Sequence, residues 1–123
     1  MEQVIYLDIA QETTPQVVFM KQQDSGRILK AFIQKDGIAI EQNAYTLAAM
    51  RFCKPNKASG MSIGGTLGAE SGKLFVEFNI PSIALNTVGI GVADIVLTDS
   101  NSKQVSTQNF YINIRATGGE GVA

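Results

Sequence analysis

Several residue types that carry enzyme and metal chemistry are scarce or missing in this 123-residue chain. It contains no histidine, which removes the commonest general base and the commonest metal ligand in proteins. The single cysteine, Cys53, excludes an intrachain disulfide and a thiolate zinc cluster. Because histidine is absent, catalysis by a Ser-His-Asp or Cys-His arrangement is also excluded. We predict a protein that is not an enzyme and that binds no cofactor or metal.

The charge balance excludes two further classes of protein. Ten lysines and arginines face eleven aspartates and glutamates, so the net charge is −1. A strongly basic nucleic-acid binder and a polybasic membrane-surface protein both need a positive excess. No stretch approaches the apolar length of a membrane span, and the first residues lack the pattern of a secretory signal. These features predict a soluble protein made in a cytoplasm, without nucleic-acid or membrane partners.

Apolar residues alternate with polar ones in short segments that glycine, asparagine, aspartate and proline separate. The clearest segment is 73–80, which places Leu74, Val76, Phe78 and Ile80 on one face. No segment of ten or more residues has a helical period. The pattern predicts an all-β fold with seven or more strands in two packed sheets, and a small closed barrel is the rival. We expect one domain over 1–117 and a flexible glycine-rich tail over 118–123.

The connections between these strands carry turn signals. Lys35-Asp36-Gly37 predicts a tight hairpin, and Asp99 predicts a turn before a closing strand at 104–115. Five glycines between residues 55 and 72 predict a loop, with a short edge strand near 61–63. Within this segment, residues 68–73 imitate a phosphate-binding loop. The glycine spacing is one residue short and the segment leads into a strand, so a glycine-rich turn is the better interpretation.

Four aromatic residues fall on the phase opposite the expected core of their strands: Tyr6, Phe32, Phe75 and Tyr111. In a sandwich these positions face outward, where large apolar groups often mark a partner surface. The competing interpretation is that loops cover them or that the local phase differs. We predict that some of these four residues contact a neighbouring subunit.

The order and spacing of several blocks resemble the N-terminal domain of phage baseplate upper proteins from siphophages of Gram-positive hosts. The blocks comprise residues 27–37, 46–56, 72–81, 89–99 and 106–114. The resemblance implies an all-β fold, an immunoglobulin-like antiparallel β-sandwich of about seven to nine short strands. It also implies a structural role without catalytic residues.

The predicted function is therefore that of a structural phage tail or baseplate protein. Such a protein is an assembly adaptor that links the baseplate to neighbouring or receptor-binding proteins. It would reside in the virion after synthesis in the bacterial host cytoplasm, and other copies of the same chain are among its expected partners, through repeated interfaces of about 800 Å² each. The alternative is a carbohydrate-binding β-sandwich module, because sandwiches serve both roles.

Overall fold

The computed structural model describes residues 2–11, 14–22, 24, 26–55 and 60–116. These residues form eleven β-strands and one short 3₁₀ turn. The strands in chain order are β1 (Glu2–Asp8), β2 (Val17–Lys21), β3 (Arg27–Lys35), β4 (Ile38–Ala39), β5 (Leu47–Cys53), β6 (Gly60–Gly64), β7 (Thr66–Glu70), β8 (Lys73–Ile80), β9 (Gly89–Thr98), β10 (Gln104–Ser106) and β11 (Phe110–Arg115). The 3₁₀ turn, Ser82–Leu85, follows Pro81, and proline is tolerated at the start of a helical turn.

The strands form two sheets. Sheet I has the order β1-β3-β8-β7, and the short β4 pairs with β3. Sheet II has the order β2-β11-β9-β5-β6, and β10 pairs with β9. The chain moves between the sheets several times, for example from β1 in sheet I to β2 in sheet II and back to β3. Each sheet therefore combines segments that are distant in sequence.

The core lies between the sheets and consists of the inward residues of every long strand. In β8 these are the four residues that the alternation predicts, and each is at most 2% exposed. The other large, fully buried side chains include Leu7, Met20, Leu29, Ile33, Met50, Phe52, Ile95, Leu97 and Phe110. Burial of apolar area on this scale, at about 25 cal/mol per Å², is the main stabilising contribution.

The predicted all-β sandwich is confirmed, and its details differ from the expectation in two respects. It has eleven strands instead of seven to nine, because residues 104–115 form two strands and the glycine-rich segment adds another. Both sheets are mixed, since β1 runs parallel to β3 and β2 runs parallel to β11. The parallel β1–β3 pair is possible because β2 crosses to the opposite sheet between these two strands. Alternation of side chains reports burial and contains no information on strand direction.

The predicted loop at residues 55–72 is wrong for most of its length. It contains β6 at the predicted edge position and the unpredicted strand β7, which pairs antiparallel with β8. A two-residue turn joins β7 to β8, with positive φ at Ser71 (53°) and Gly72 (77°). The Asp36-Gly37 turn between β3 and β4 has the same conformation (54° and 79°) and confirms the predicted hairpin. The Ser-Gly pair before β8 is the signal that predicts such a turn.

A buried carboxylate ties together three connections at one end of the sandwich. Asp8 is 1% exposed. One oxygen, Oδ1, accepts hydrogen bonds from the backbone N–H groups of Ala10 (2.7 Å), Gln11 (3.0 Å) and Asp36 (3.2 Å). The other, Oδ2, accepts from the N–H of Gly37 at 2.8 Å. The backbone of Asp8 also exchanges two hydrogen bonds with Gln108, before β11.

These contacts set the charge state of Asp8. Burial by itself raises the pKa of the carboxyl group. The four backbone hydrogen bonds, of which that from Gly37 is the largest, outweigh burial and hold the pKa below its ordinary value. The carboxylate is therefore charged at neutral pH and serves as a structural acceptor.

We predict that Asp8→Asn destabilises the fold by about 2 to 3 kcal/mol at pH 7. The amide keeps one acceptor oxygen and points a donor at backbone donors, which leaves buried N–H groups unpaired. Chemical denaturation monitored by circular dichroism measures the loss. Asp99→Asn is the matched control, because Asp99 accepts only from exposed turn amides. Equal losses in the two variants would contradict the structural role assigned to Asp8.

The same substitution alters the pH dependence of stability. Because the pKa of Asp8 is lower in the folded protein than in the unfolded chain, its contribution is fully present above about pH 5. The contribution disappears as the pH falls through about 4 and below. The gap in unfolding free energy between the wild type and Asp8→Asn should therefore narrow from pH 6 to pH 3, and a gap that widens would contradict the shift.

Candidate functional site

Three of the four predicted partner-binding residues lie side by side on the outer face of sheet I. The strand register pairs Tyr6 of β1 with Phe32 of β3, and Phe32 with Phe75 of β8. Phe75 is in turn paired with Gly68 of β7. The row therefore crosses the four main strands of the sheet. We call Tyr6, Phe32, Phe75 and Gly68 the aromatic row.

The rings of the aromatic row pack against one another. The rings of Tyr6 and Phe32 stack with centroids 5.3 Å apart and an interplanar angle of 17°. Phe32 meets the edge of Phe75 at 5.7 Å and 66°. A β-carbon at Gly68 would lie 2.6 Å from the Phe75 ring, so only glycine lets this ring lie over β7. Aromatic pairs of these geometries contribute about 0.5 to 1.5 kcal/mol each beyond their buried area.

A lysine covers the apolar surface of this row. Lys30 extends across β8, with its Nζ 4.2 Å from the centroid of the Phe75 ring and 5.5 Å from that of Phe32. The ammonium group ends in a salt bridge of 3.3 Å with Glu70 of β7. The side chain of Lys30 is only 13% exposed, so it shields the rings from water while Glu70 neutralises its charge.

The exposure of the three rings differs. Tyr6 is 51% exposed, Phe32 is only 9% exposed, and Phe75 is partly buried. The apolar surface that the aromatic row offers to a partner is therefore mainly the Tyr6 ring together with Val4 beside it on β1. Phe32 positions Tyr6 from below and offers little surface of its own. The prediction that these residues bind a partner remains a prediction.

Tyr111, the fourth predicted residue, lies on the opposite side of the molecule. It belongs to the outer face of sheet II, where the register aligns it with Val17 of β2, Val92 of β9 and Cys53 of β5. The sandwich core separates this face from the aromatic row. The four aromatic residues predicted from the sequence therefore belong to two separate surfaces, one on each sheet.

The outer face of sheet II carries apolar residues that the sequence analysis missed. Phe19 and Ile90, which flank Asn113 in the adjacent row, are 48% and 60% exposed, and Val17 and Val92 are exposed beside them. The available signal was that apolar residues occupy both phases of β2 and, taken over its whole length, both phases of β9. Because either phase can then fill the core, alternation alone does not assign the outward residues. The guanidinium of Arg115 stacks on the Phe19 ring at 4.5 Å.

A shallow concavity of about 490 Å³ adjoins this surface between β9 and β6. Val92, Cys53 and Met61 contribute apolar surface to it, and Arg51 and Asp94 contribute a charged pair. Arg51 Nε donates to Asp94 Oδ1 at 2.8 Å, and its Nη2 donates to Oδ2. The hydrogen bonds to Asp94, followed by its charge, raise the pKa of Arg51. The bidentate pair fixes both side chains in place.

Two other kinds of feature are absent from the described residues. In the described ranges, no group of three histidine, cysteine, aspartate or glutamate side chains is close enough to hold a metal ion. Across the same residues, no helix has both the length and the apolar character to cross a membrane. The predicted tail, 118–123, lies outside the described residues, and so the predicted domain boundary remains a prediction.

The fold is similar to that of a phage protein domain. The N-terminal domain of phage TP901-1 ORF48 superposes with a TM-score of 0.60 over 94% of this chain and 99% of that chain. The two sequences are 16% identical, so the likeness concerns the fold. No family model matches the chain, and no curated protein matches it.

The packing of the aromatic row predicts unequal effects of removing its rings. We expect Phe32→Ala to lower the free energy of unfolding by about 3 kcal/mol, because the ring is almost fully buried between two others. Tyr6→Ala should lower it by about 1 kcal/mol, because half of that ring is in water. Guanidinium denaturation measures both values. Similar losses for the two variants would mean that Phe32 does not support the row.

Proposed function

We propose that this chain is a structural component of a phage tail or baseplate, in which it joins neighbouring proteins and catalyses no reaction. The observation that carries the proposal is the likeness of its fold, over nearly its whole length, to a domain of a phage protein. The sequence blocks that resemble baseplate upper proteins support it independently, because they recur in the same order along the chain. We infer that the virion is its location.

The two outer faces suit an assembly role. Each presents exposed apolar side chains on a rigid sheet, such as Tyr6 and Val4 on sheet I and Phe19 and Ile90 on sheet II. Because the sheets are braced by a common core, a partner that binds either face meets a preformed surface and loses little entropy in ordering it. We assign Tyr6 and Tyr111 as direct contacts of partners, and Phe32 and Phe75 as the support beneath Tyr6.

The carbohydrate-binding alternative depends on the same aromatic residues. A sugar-stacking platform needs a ring face open to solvent, and in the aromatic row only Tyr6 is half exposed. One face of that ring is already stacked on Phe32. The geometry therefore favours packing against protein side chains over a broad glycan platform.

The deciding experiment is quantitative mass spectrometry of phage-like particles purified from an induced source strain. We expect this chain at a fixed ratio to the major tail proteins through successive density gradients, because a structural part co-purifies with its neighbours. An abundant cytoplasmic protein, whose ratio should fall at each gradient, is the control. Absence from intact particles would overturn the proposal. Absence combined with glycan binding at a Kd of about 1 mM or below would support the carbohydrate-binding alternative.

A further inference from the structure

We propose that the free edge of β1 docks an extended segment of another protein, which joins sheet I as a further antiparallel strand beside Val4 and Tyr6. The inference rests on the proposed function, because it names the way in which a neighbouring tail protein would contact Tyr6. β1 is an outermost strand of sheet I and pairs with β3 on one side. Its other edge faces away from the sheet, as in complexes where a partner adds a strand.

The backbone groups of alternate residues of β1 point away from β3. The N–H of Ile9 donates to a β3 carbonyl group at 2.9 Å, so the odd-numbered residues face β3. The even-numbered residues face outward: Asp8 N–H donates to Gln108 Oε1, and the Asp8 carbonyl accepts from the Gln108 N–H. The N–H and C=O groups of Val4 and Tyr6 share this outward direction. Among the described residues these four groups have no hydrogen-bond partner.

Gln108 closes the edge at one end. Its two hydrogen bonds with Asp8 occupy the groups that a neighbouring strand would use. The open stretch is therefore residues 2–7, which is about 20 Å of extended chain. A segment of about six residues fills this length.

β1 lacks the features that normally prevent strand pairing at an edge. Those features are charged side chains, proline, bulges and short length. β1 is seven residues long, and its residues 3–7 include no charged residue, proline or glycine. Val4 and Tyr6 are 46% and 51% exposed beside the open backbone groups. An added strand would cover both side chains and pair the four groups.

The other outer strands of the two sheets differ from β1. On β2, the carbonyl groups of Phe19 and Lys21 already accept hydrogen bonds, from the Gln3 side chain and the Asp24 N–H. β6 and β7 contain none of the large, exposed apolar side chains found in the described part of the chain. Open backbone groups and large exposed apolar side chains therefore coincide most clearly on β1.

Two cations specify the charge of the occupant. β2 runs opposite to β1 across the seam, since Gln16 lies by the entry to β11 and Phe19 lies by Gln3. Lys21 therefore lies beyond the start of β1, and Arg115 pairs with it across β11. Both are exposed, and neither forms a salt bridge with any residue that the structure describes. An acidic residue on the occupant at this end complements them.

A second copy of the chain supplies this acidic residue poorly. When two β1 strands pair antiparallel, the Leu7–Asp8 end of one copy lies beside the Lys21 end of the other. The carboxylate of Asp8 is buried and already accepts four backbone hydrogen bonds. A separate polypeptide that is apolar on its outer side and acidic at one end is therefore the better occupant.

Titration of the isotope-labelled chain with the capped peptide Val-Thr-Val-Thr-Val-Glu, followed by nuclear magnetic resonance, tests this docking. In the antiparallel register its first residue lies opposite Tyr6, its third lies opposite Val4, and its glutamate reaches Lys21. A short peptide loses much entropy on ordering, so we expect saturable shifts of the Val4 and Tyr6 amide signals with a Kd of about 1 mM or below. No shift at about 5 mM peptide would overturn the proposal.

Methylation of the peptide backbone distinguishes strand addition from general apolar contact. A methyl group on the third nitrogen removes an N–H that faces Val4, and it should weaken binding at least about ten-fold. A methyl group on the fourth nitrogen, which points away from β1, should change the Kd by less than about three-fold. Equal effects of the two methyl groups would contradict the arrangement.

A variant of the chain tests the same edge from the other side. Val4→Pro removes an outward N–H and keeps the hydrogen bonds to β3, as edge strands tolerate. It should weaken binding of the unmodified peptide at least about ten-fold, whereas Val4→Thr, which keeps the N–H, should change it less than about three-fold. Equal affinities would overturn the proposal, and the methylated peptides decide the matter if Val4→Pro does not fold.

The outcomes separate this inference from the proposed function. A chain that is present in particles but does not bind the peptide leaves the tail role standing and removes the strand docking. Edge-specific binding by a chain that is absent from particles removes the tail role alone. Self-association of the free chain that Val4→Pro abolishes would make a second copy the occupant and overturn the assignment to another protein.

Discussion

Every strand of this sandwich must turn one of its two faces to the space between the sheets, and that requirement sorts the side chains of the whole chain. In β9 it buries Ala93, Ile95 and Leu97 almost completely. It thereby places Ile90 and Val92, from the other phase of the same strand, on the outside. Strands that are apolar in both phases fill the core and still leave apolar surface in water. That surplus is the physical basis of the surfaces to which we assign assembly.

Polar contacts then hold the edges of the sandwich. The carboxylate of Asp8 gathers N–H groups from two connections, and Gln108 joins it from the entry to β11. At the seam between the sheets, the side chain of Gln3 on β1 donates to the backbone carbonyl of Phe19 on β2 at 2.6 Å. Such contacts add modest net free energy, and they specify how the two edges meet.

The two outer faces differ in how they manage their apolar residues. On sheet I, Phe32, Phe75 and Lys30 cover one another, so most of the apolar area is already removed from water. On sheet II, Val17, Ile90 and Val92 remain exposed. A fold alone does not assign function, and a β-sandwich supports many. The two faces of this sandwich therefore differ in how much apolar surface they leave in water.

The amino-acid sequence alone determined the all-β class, the hairpin at Asp36-Gly37 and the core phase of β8, because alternation and turn chemistry are local properties. It also indicated Tyr6, Phe32, Phe75 and Tyr111 as outward residues for the same reason. The strand β7 was hidden by Gly68 and by the glycines that flank the strand, and the role of Gly68 lies in its contact with Phe75 from another strand. The pairing of β1 with β3 and the separation of Tyr111 from the other three aromatics were decided only by the tertiary structure. Strand order, strand direction and the sheet to which a strand belongs depend on contacts between residues far apart in the chain, and no local pattern encodes them.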